Sequence, residues 1–363
     1  MPATTPPGSE NPTTMATPFT AWRILDAAAN RAAEGLRVVE EFARFALNDG
    51  HLSRLLKECR HELTATLSAI PERCRLAARD TPGDVGTSIG TVSEYQRGSV
   101  ADVARASFKR VQEALRTLEE YGKLVEPTAD SMSFPQRIEQ LRYRLYTAEK
   151  AVLQTNSAIE RFDSRRLYLL VTAKSCAASL ESTVRGAIEA GVGIIQVREK
   201  HLPDRQLVEL ARQMREWTSL AGALVIVNDR PDIAVLANAD GVHVGQDELT
   251  VRDARQIVGP DRLVGVSTHS IEQARQAVLD GADYLGVGPT FPSGTKSFDG
   301  FPGLELVRQV AAEIAIPWFA IGGIDSTNLT SVIQAGARRV AVSGAICGSA
   351  DPGGSASDLL LKF

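Results

Sequence analysis

The chain predicts an α/β protein, a (β/α)8 barrel at its C-terminus preceded by an all-α region. Three observations predict it. The 363 residues exceed the roughly 200–250 that such a barrel takes. From Leu167 onward, short β-branched apolar runs alternate with helical stretches, the pattern of a parallel sheet covered on both faces. Before that point, apolar residues recur at three- and four-residue steps with no strand-like alternation.

Taken in order, residues 1–19 are rich in Pro, Thr and Ser and read as a disordered tail. The all-helical region is expected over residues 20–161. Its first helix carries Leu25, Ala28, Ala32, Leu36, Val39 and Phe42 on one stripe. Others are expected near Leu52–Ile70, Val100–Leu124 and Pro135–Thr155, with a Gly/Pro/Thr-rich break at Asp80–Thr87. The region is internally duplicated: NRAAEGLRVVEEFARF (Asn30–Phe45) matches KRVQEALRTLEEYGKL (Lys109–Leu124) at Arg31/Arg110, Glu34/Glu113, Leu36/Leu115, Arg37/Arg116, Glu40/Glu119 and Glu41/Glu120. Two copies of a helical hairpin would bury faces that one could not. Arg31, Glu34 and Arg37 share a face. They read either as ion pairs that fix packing or as part of a small-molecule or partner site with the Asp80–Thr87 loop.

The barrel is expected over residues 162–363. Its strands are Leu167–Thr172, Ile194–Arg198, Leu224–Asn228, Gly241–Gly245, Leu263–Ser267, Tyr284–Gly288, Trp318–Gly322 and Arg339–Ser343. Helical patterns lie between them, for example Ser182–Ala190, Asp204–Ser219, Ile271–Leu279 and Leu304–Ile314, with a short last helix near Ser355–Phe363.

Composition narrows the function. A net charge of −4 argues against a general nucleic-acid binder, so any anion site must be local. Cys59, Cys74, Cys176 and Cys347 lack CxxC or metal-ligand spacing and read as inert thiols of a reducing cytoplasm. No apolar run approaches the ~18 residues of a membrane span. A homo-oligomer is an expectation of the fold alone.

Polar residues gather at the C-terminal ends of the strands, the rim where such barrels keep their active sites. Arg198, Lys200 and Lys296 form a cationic group with the donors Asn228, Ser267 and Thr295. Gln196, Arg198 and Lys200 alternate, so they point one way. Arg gives a bidentate fork for phosphate oxygens and Lys a compact charge. Asp229, with Asp247 and Glu248 one strand later, suits Mg²⁺, which takes one or two carboxylates and completes its shell with water and phosphate oxygens. Gly322-Gly323 and Ser343-Gly344, after strands seven and eight, offer backbone N–H groups to a second phosphate. No nucleophile–base set is apparent. These features imply group transfer driven by loss of a metal-bound diphosphate.

Residues 167–348 resemble the thiamine-phosphate synthases. The resemblance is carried by LYLLVT, QVREK, IVNDRPD, ADGVHVGQ, VGVSTHS, GADYLGVGPTFPSGTK and AIGGI, in that order. The helical region resembles the N-terminal extension of the larger, cyanobacterial-type members. The resemblance implies that a pyrimidine diphosphate and a thiazole phosphate, or its carboxylated form, give thiamine phosphate and diphosphate. It implies that Gln196, Arg198, Lys200, Asn228, Ser267 and Lys296 hold the pyrimidine diphosphate, with Arg198, Lys200, Ser267 and Lys296 serving catalysis. Asp229 and the residue at 248 would hold Mg²⁺. Ser293, Gly294, Thr295 and Gly323, with Ser343 and Gly344, would hold the thiazole phosphate, and Phe291 would belong to a lid.

Two positions depart from the family pattern. Glu248 stands where Asp is usual, leaving the second metal ligand open between Asp247 and Glu248. Ser343-Gly344 stands where Val-Ser is common. Two rival functions are a thiazole tautomerase, with His269 as its acid–base group, and a non-catalytic sensor of thiamine precursors.

Overall fold

A computed structural model describes residues 13–89, 96–125, 132–292 and 301–363, with the backbone alone for 13–18, 87 and 88. The chain divides into two compact units, one of residues 1–46 and 52–149, the other of residues 47–51 and 150–363.

In the first unit, α1 (Thr13–Glu41) runs into a π-helical turn (Phe42–Ala46), and α2 follows (Gly50–Leu67). A short α3 (Glu72–Ala78) precedes α4 (Val100–Gly122), and α5 spans Phe134–Phe162. The helix begins at Thr13, inside the segment expected as a tail. Once the stripe from Ala21 is buried, each residue added at its end gains a hydrogen bond without a new nucleus. Residues 1–12 lie outside the described residues.

The duplication is visible as geometry. Gly35 of one copy lies against Val111 of the other, and a Cβ at Gly35 would sit 2.5 Å from Val111 Cγ2. Each copy holds a buried glutamate between two arginines. Glu40 is 2.7 Å from Arg60 and 3.6 Å from Arg37. Glu119 is 2.9 Å from Arg142 and 2.6 Å from Arg116. Thus α1 is clamped to α2 as α4 is to α5. Arg37 pairs within its own stretch of helix, with Glu40 and Glu41, while Arg60 and Arg142 carry the contact from one helix of each hairpin to the next.

In the second unit the strands are β1 (Leu167–Val171), β2 (Ile194–Val197), β3 (Leu224–Asn228), β4 (Gly241–Val244), β5 (Leu263–Thr268), β6 (Tyr284–Val287), β7 (Trp318–Ile321) and β8 (Val340–Val342). They close in sequence order into one parallel barrel. The covering helices are α6 (Leu180–Glu189), α7 (Asp204–Thr218), α8 (Pro231–Leu236), α9 (Val251–Val258), α10 (Ile271–Asp280), α11 (Gly303–Glu313), α12 (Leu329–Gln334), α13 (Gly344–Cys347) and α14 (Pro352–Leu360). Side-chain caps start several of them: Ser179, Thr250, Ser270 and Asp351 each accept from a backbone N–H three residues on.

The barrel interior is packed by Tyr168, Ile194, Ile226, Leu263, Tyr284 and Phe319, with Phe162 closing its lower end. The expected divide at 161/162 therefore needs correction. The last turns of α5 belong with the barrel. Lys150 Nζ donates to Asp280 O at 2.6 Å and Gln154 Nε2 to Gly281 O at 2.8 Å. The segment 47–51 belongs there too, because Asp49 accepts from Ala315 N at 2.9 Å.

Two aspartates in the sequence segments ADG and ADY brace the lower rim. Asp240 accepts from Val225 N and Asp283 from Val264 N, both at 2.7 Å, and each also pairs with an arginine, Arg215 or Arg255. They are structural rather than part of the site.

Candidate active site

The upper ends of the strands surround a cavity of about 520 Å³. Gln196, Arg198 and Lys200 all line it. Val197, between them, is buried. Glu199 turns back to accept from Ala173 N at 2.5 Å. The ladder continues one residue past β2, with Arg198 N donating to Val171 O at 2.9 Å and Thr172 Oγ1 donating to Arg198 O at 2.8 Å. This fixes the root of the Arg198 side chain.

Lys200 Nζ lies 3.9 Å from Asp229 Oδ2, to which Asn228 Nδ2 donates at 2.5 Å. Asp229 has φ +62°, a left-handed conformation that Asp tolerates better than most residues. Its N–H donates to His243 O at 2.8 Å, which ties the turn after β3 to β4. Asp247 and Glu248 line the same cavity and are both exposed. Among the described residues no group of three His, Cys, Asp or Glu is set to hold a metal. Carboxylates without imidazole or thiolate fit a hard cation that brings water and substrate oxygens with it.

Opposite lies a shelf of backbone. Gly322 and Gly323 have φ of +104° and +61°. A Cβ at Gly323 would come within 2.5 Å of Pro292 O, so only glycine lets this turn approach the loop after β6. Ser343, Gly344 and Ala345 line the cavity beside it. Ile346 N and Cys347 N donate back to Ser343 O, and a Cβ at Gly344 would meet nothing within 4 Å. Open space above small residues is what a phosphate needs to reach backbone N–H groups.

The floor is a buried polar layer that joins two expected site residues, Gln196 and Ser267, through Tyr168, Tyr284 and His243, to which sequence reading assigned no role. Gln196 Nε2 donates to Tyr168 Oη at 2.6 Å, and the two tyrosine hydroxyls are 3.0 Å apart. His243 Nδ1 is 3.1 Å from Tyr284 Oη, and its Nε2 is 3.0 Å from Ser267 Oγ. Gln196 Oε1 is buried and has no hydrogen-bond partner. Burial pushes both phenols above their ordinary value and holds His243 down at about 4. All these groups are neutral near pH 7. His243 lies within ADGVHVGQ, and its inward position on β4 was the available signal.

His269 also lines the cavity, but its Nδ1 donates to Gly288 O at 2.5 Å and its N–H to Gln273 Oε1 at 2.7 Å. The first of these bonds orients the ring. Ser293, Gly294, Thr295 and Lys296 lie outside the described residues. Phe291 N donates to Gly322 O at 2.9 Å, which anchors the start of that loop.

Comparison with known proteins agrees with this geometry. The family model described as thiamine monophosphate synthase matches residues 167–346, and one described as the ThiD2 family matches residues 23–151. A thiamine-phosphate synthase of Rhodopirellula baltica is 46% identical over 336 residues, covering 90% of this chain and 88% of that protein. One from Gloeobacter violaceus is 45% identical over 331 residues, covering 91% and 93%. These alignments include the helical region. The structure of a thiamine phosphate pyrophosphorylase from Pyrococcus furiosus superposes with a TM-score of 0.51 at 33% identity, over 55% of this chain and 95% of that one. With a closed barrel, a rim of this composition and such identity across nearly its whole length, the chain belongs to the thiamine-phosphate synthase family.

Proposed function

We propose that this chain joins 4-amino-2-methyl-5-(diphosphooxymethyl)pyrimidine to a thiazole phosphate, or its carboxylated form, giving thiamine phosphate and diphosphate. One observation carries this reading. Arg198, Lys200 and Asp229 open into the same cavity as the glycine shelf of Gly322, Gly323 and Gly344. This supports a reading in which a diphosphate and a phosphate are held in one cavity.

The bond between the pyrimidine methylene and the diphosphate oxygen breaks, and both electrons leave with the oxygen. The ring amino group feeds density to the methylene cation, and the thiazole nitrogen lone pair forms the new C–N bond. Negative charge grows on the departing oxygen, so Arg198 and Lys200 bind the transition state better than the substrate. Lys296 joins them in this proposal. Mg²⁺, held by Asp229 with Glu248 or Asp247, would add positive charge beside the leaving diphosphate. Asn228, Ser267 and Gln196 hold the pyrimidine diphosphate. Gly323, Ser343 and Gly344, with Ser293, Gly294 and Thr295, hold the thiazole phosphate. Apolar Leu170, Ile321 and Val342 line the cavity and keep water from the cation.

The rival tautomerase reading has less support, because an isomerase has no use for the Arg198–Lys200–Asp229 group. Four free cysteines suit a reducing cytoplasm. No described helix is long and apolar enough to cross a membrane. Incubation with both substrates and Mg²⁺, followed by chromatography, is the test. Thiamine phosphate is the expected product. A folded protein that binds thiazole phosphate yet forms none would favour the tautomerase or the sensor.

A further inference from the structure

Gln196, Tyr168, Tyr284, His243 and Ser267 form an unbranched hydrogen-bonded chain across the barrel floor, with links of 2.6, 3.0, 3.1 and 3.0 Å. Both ends, Gln196 and Ser267, open into the cavity. Each hydroxyl and the neutral imidazole has one proton to give, so the direction of one link fixes the next. Gln196 Nε2 can only donate, and Tyr168 Oη accepts. The Tyr168 proton then goes to Tyr284 Oη, and the Tyr284 proton to His243 Nδ1. An imidazole that accepts at Nδ1 carries its proton on Nε2 and donates it to Ser267 Oγ. The Ser267 proton is left for the cavity, and Gln196 Oε1, buried without a partner, is left as an acceptor. Rotating the Gln196 amide would reverse every link, so the two ends always have opposite polarity.

The fold makes room for this chain. A Cβ at Gly265 would sit 2.1 Å from Tyr284 Cζ, and one at Gly286 would sit 3.3 Å from His243 Cε1. Glycine at 265 is therefore a condition for the Tyr284 ring to cross the barrel.

We propose that Tyr168, Tyr284 and His243 are positioning residues that hold Gln196 as an acceptor and Ser267 as a donor, and so select a 4-amino over a 4-oxo pyrimidine. This rests on the proposed reaction and adds one assignment to it, that the pyrimidine ring of the diphosphate substrate sits on the floor between Gln196 and Ser267. The amino group supplies the donor that Gln196 Oε1 needs, and an unprotonated ring nitrogen can accept from Ser267. A 4-oxo ring turns its carbonyl oxygen to Oε1, leaving two acceptors face to face in a buried site.

Two measurements on the full chain test it. In ¹⁵N-histidine spectra, with His243→Gln used to assign the signal, His243 is expected as the Nε2–H tautomer. The Nδ1–H tautomer would overturn the proposal. In steady-state assays with 4-amino and 4-oxo pyrimidine diphosphates, Tyr284→Phe is expected to lower the amino-to-oxo ratio of kcat/KM at least about tenfold. Tyr168→Phe serves if that variant does not fold. A purely structural role would slow both substrates alike, and an unchanged ratio would overturn the proposal. A wild-type chain that makes no product from either pyrimidine sinks the reaction itself, while the tautomer still judges the proton order.

Discussion

Lys200 Nζ and Asp229 Oδ2 stand 3.9 Å apart, close enough to attract and too far for a hydrogen bond. Lys200 is 47% exposed, so the pair adds little to stability. In the proposed reaction its value is chemical, since cation and carboxylate would be presented to the same oxygen-rich ligand. Lys200→Ala or Arg198→Ala should lower kcat/KM for thiamine phosphate formation about 100-fold or more. Each should leave the unfolding free energy within about 0.5 kcal/mol of wild type. Steady-state kinetics and equilibrium unfolding of the same preparations check both halves.

Asp229 calls for a specific replacement. Its φ of +62° would strain alanine by about 1–2 kcal/mol, whereas asparagine tolerates that conformation. Asp229→Asn should therefore fold like wild type yet lose activity about 100-fold or more. It should also need far more Mg²⁺ for half its residual rate. Chelation should stop the wild-type enzyme and added Mg²⁺ restore it. Full activity of the asparagine variant at low Mg²⁺ would contradict the metal assignment.

His243 makes the fold sensitive to acid. Burial holds it down at about 4, while an unfolded imidazole titrates near 6.5. As pH falls, the unfolded chain takes up this proton first. The His243 contribution to stability is thus intact above about pH 6.5, declines between about 6.5 and 4, and levels off below. The total is about 3 kcal/mol. Urea midpoints at pH 7 and 4.5 measure it, and the drop should shrink in His243→Gln.

Phe162 is wholly buried, with its ring centroid 5.3 Å from Tyr284 and 6.0 Å from Phe319. Phe162→Ala should cost about 3–5 kcal/mol. A chain begun at Asp163 should be less stable than one begun at Lys150, because it lacks both this plug and the Gln154 contacts. Thermal melts of the two truncations decide it.

Burial pushes the Cys59 thiol up to about 11 and that of Cys347 to about 12. In the folded chain at pH 8, iodoacetamide should leave both unmodified, and denaturant should expose them. Mass mapping of the alkylated peptides reads this directly.

The barrel was legible because its signal is local. Each strand is an apolar run that stops where polar rim residues begin, and β3 (Leu224–Asn228) has the expected bounds. Gln196, Arg198 and Lys200 were readable as one face because strand alternation needs no partner. The unit boundaries were not readable. Asp49 meets Ala315 across 266 positions, and no local pattern reports such a contact. The floor chain was hidden for the same reason, since its five members come from five strands. Glycines at 265 and 286 matter only once Tyr284 and His243 are seen crossing above them.

The most direct test of the central claim is the stoichiometry of turnover by the full chain. With both substrates and Mg²⁺, diphosphate and thiamine phosphate should appear one for one, and diphosphate release should stop when thiazole phosphate is withheld or Arg198→Ala is used. Conversion of the thiazole without any pyrimidine diphosphate, or binding of both with no diphosphate released, would contradict the account.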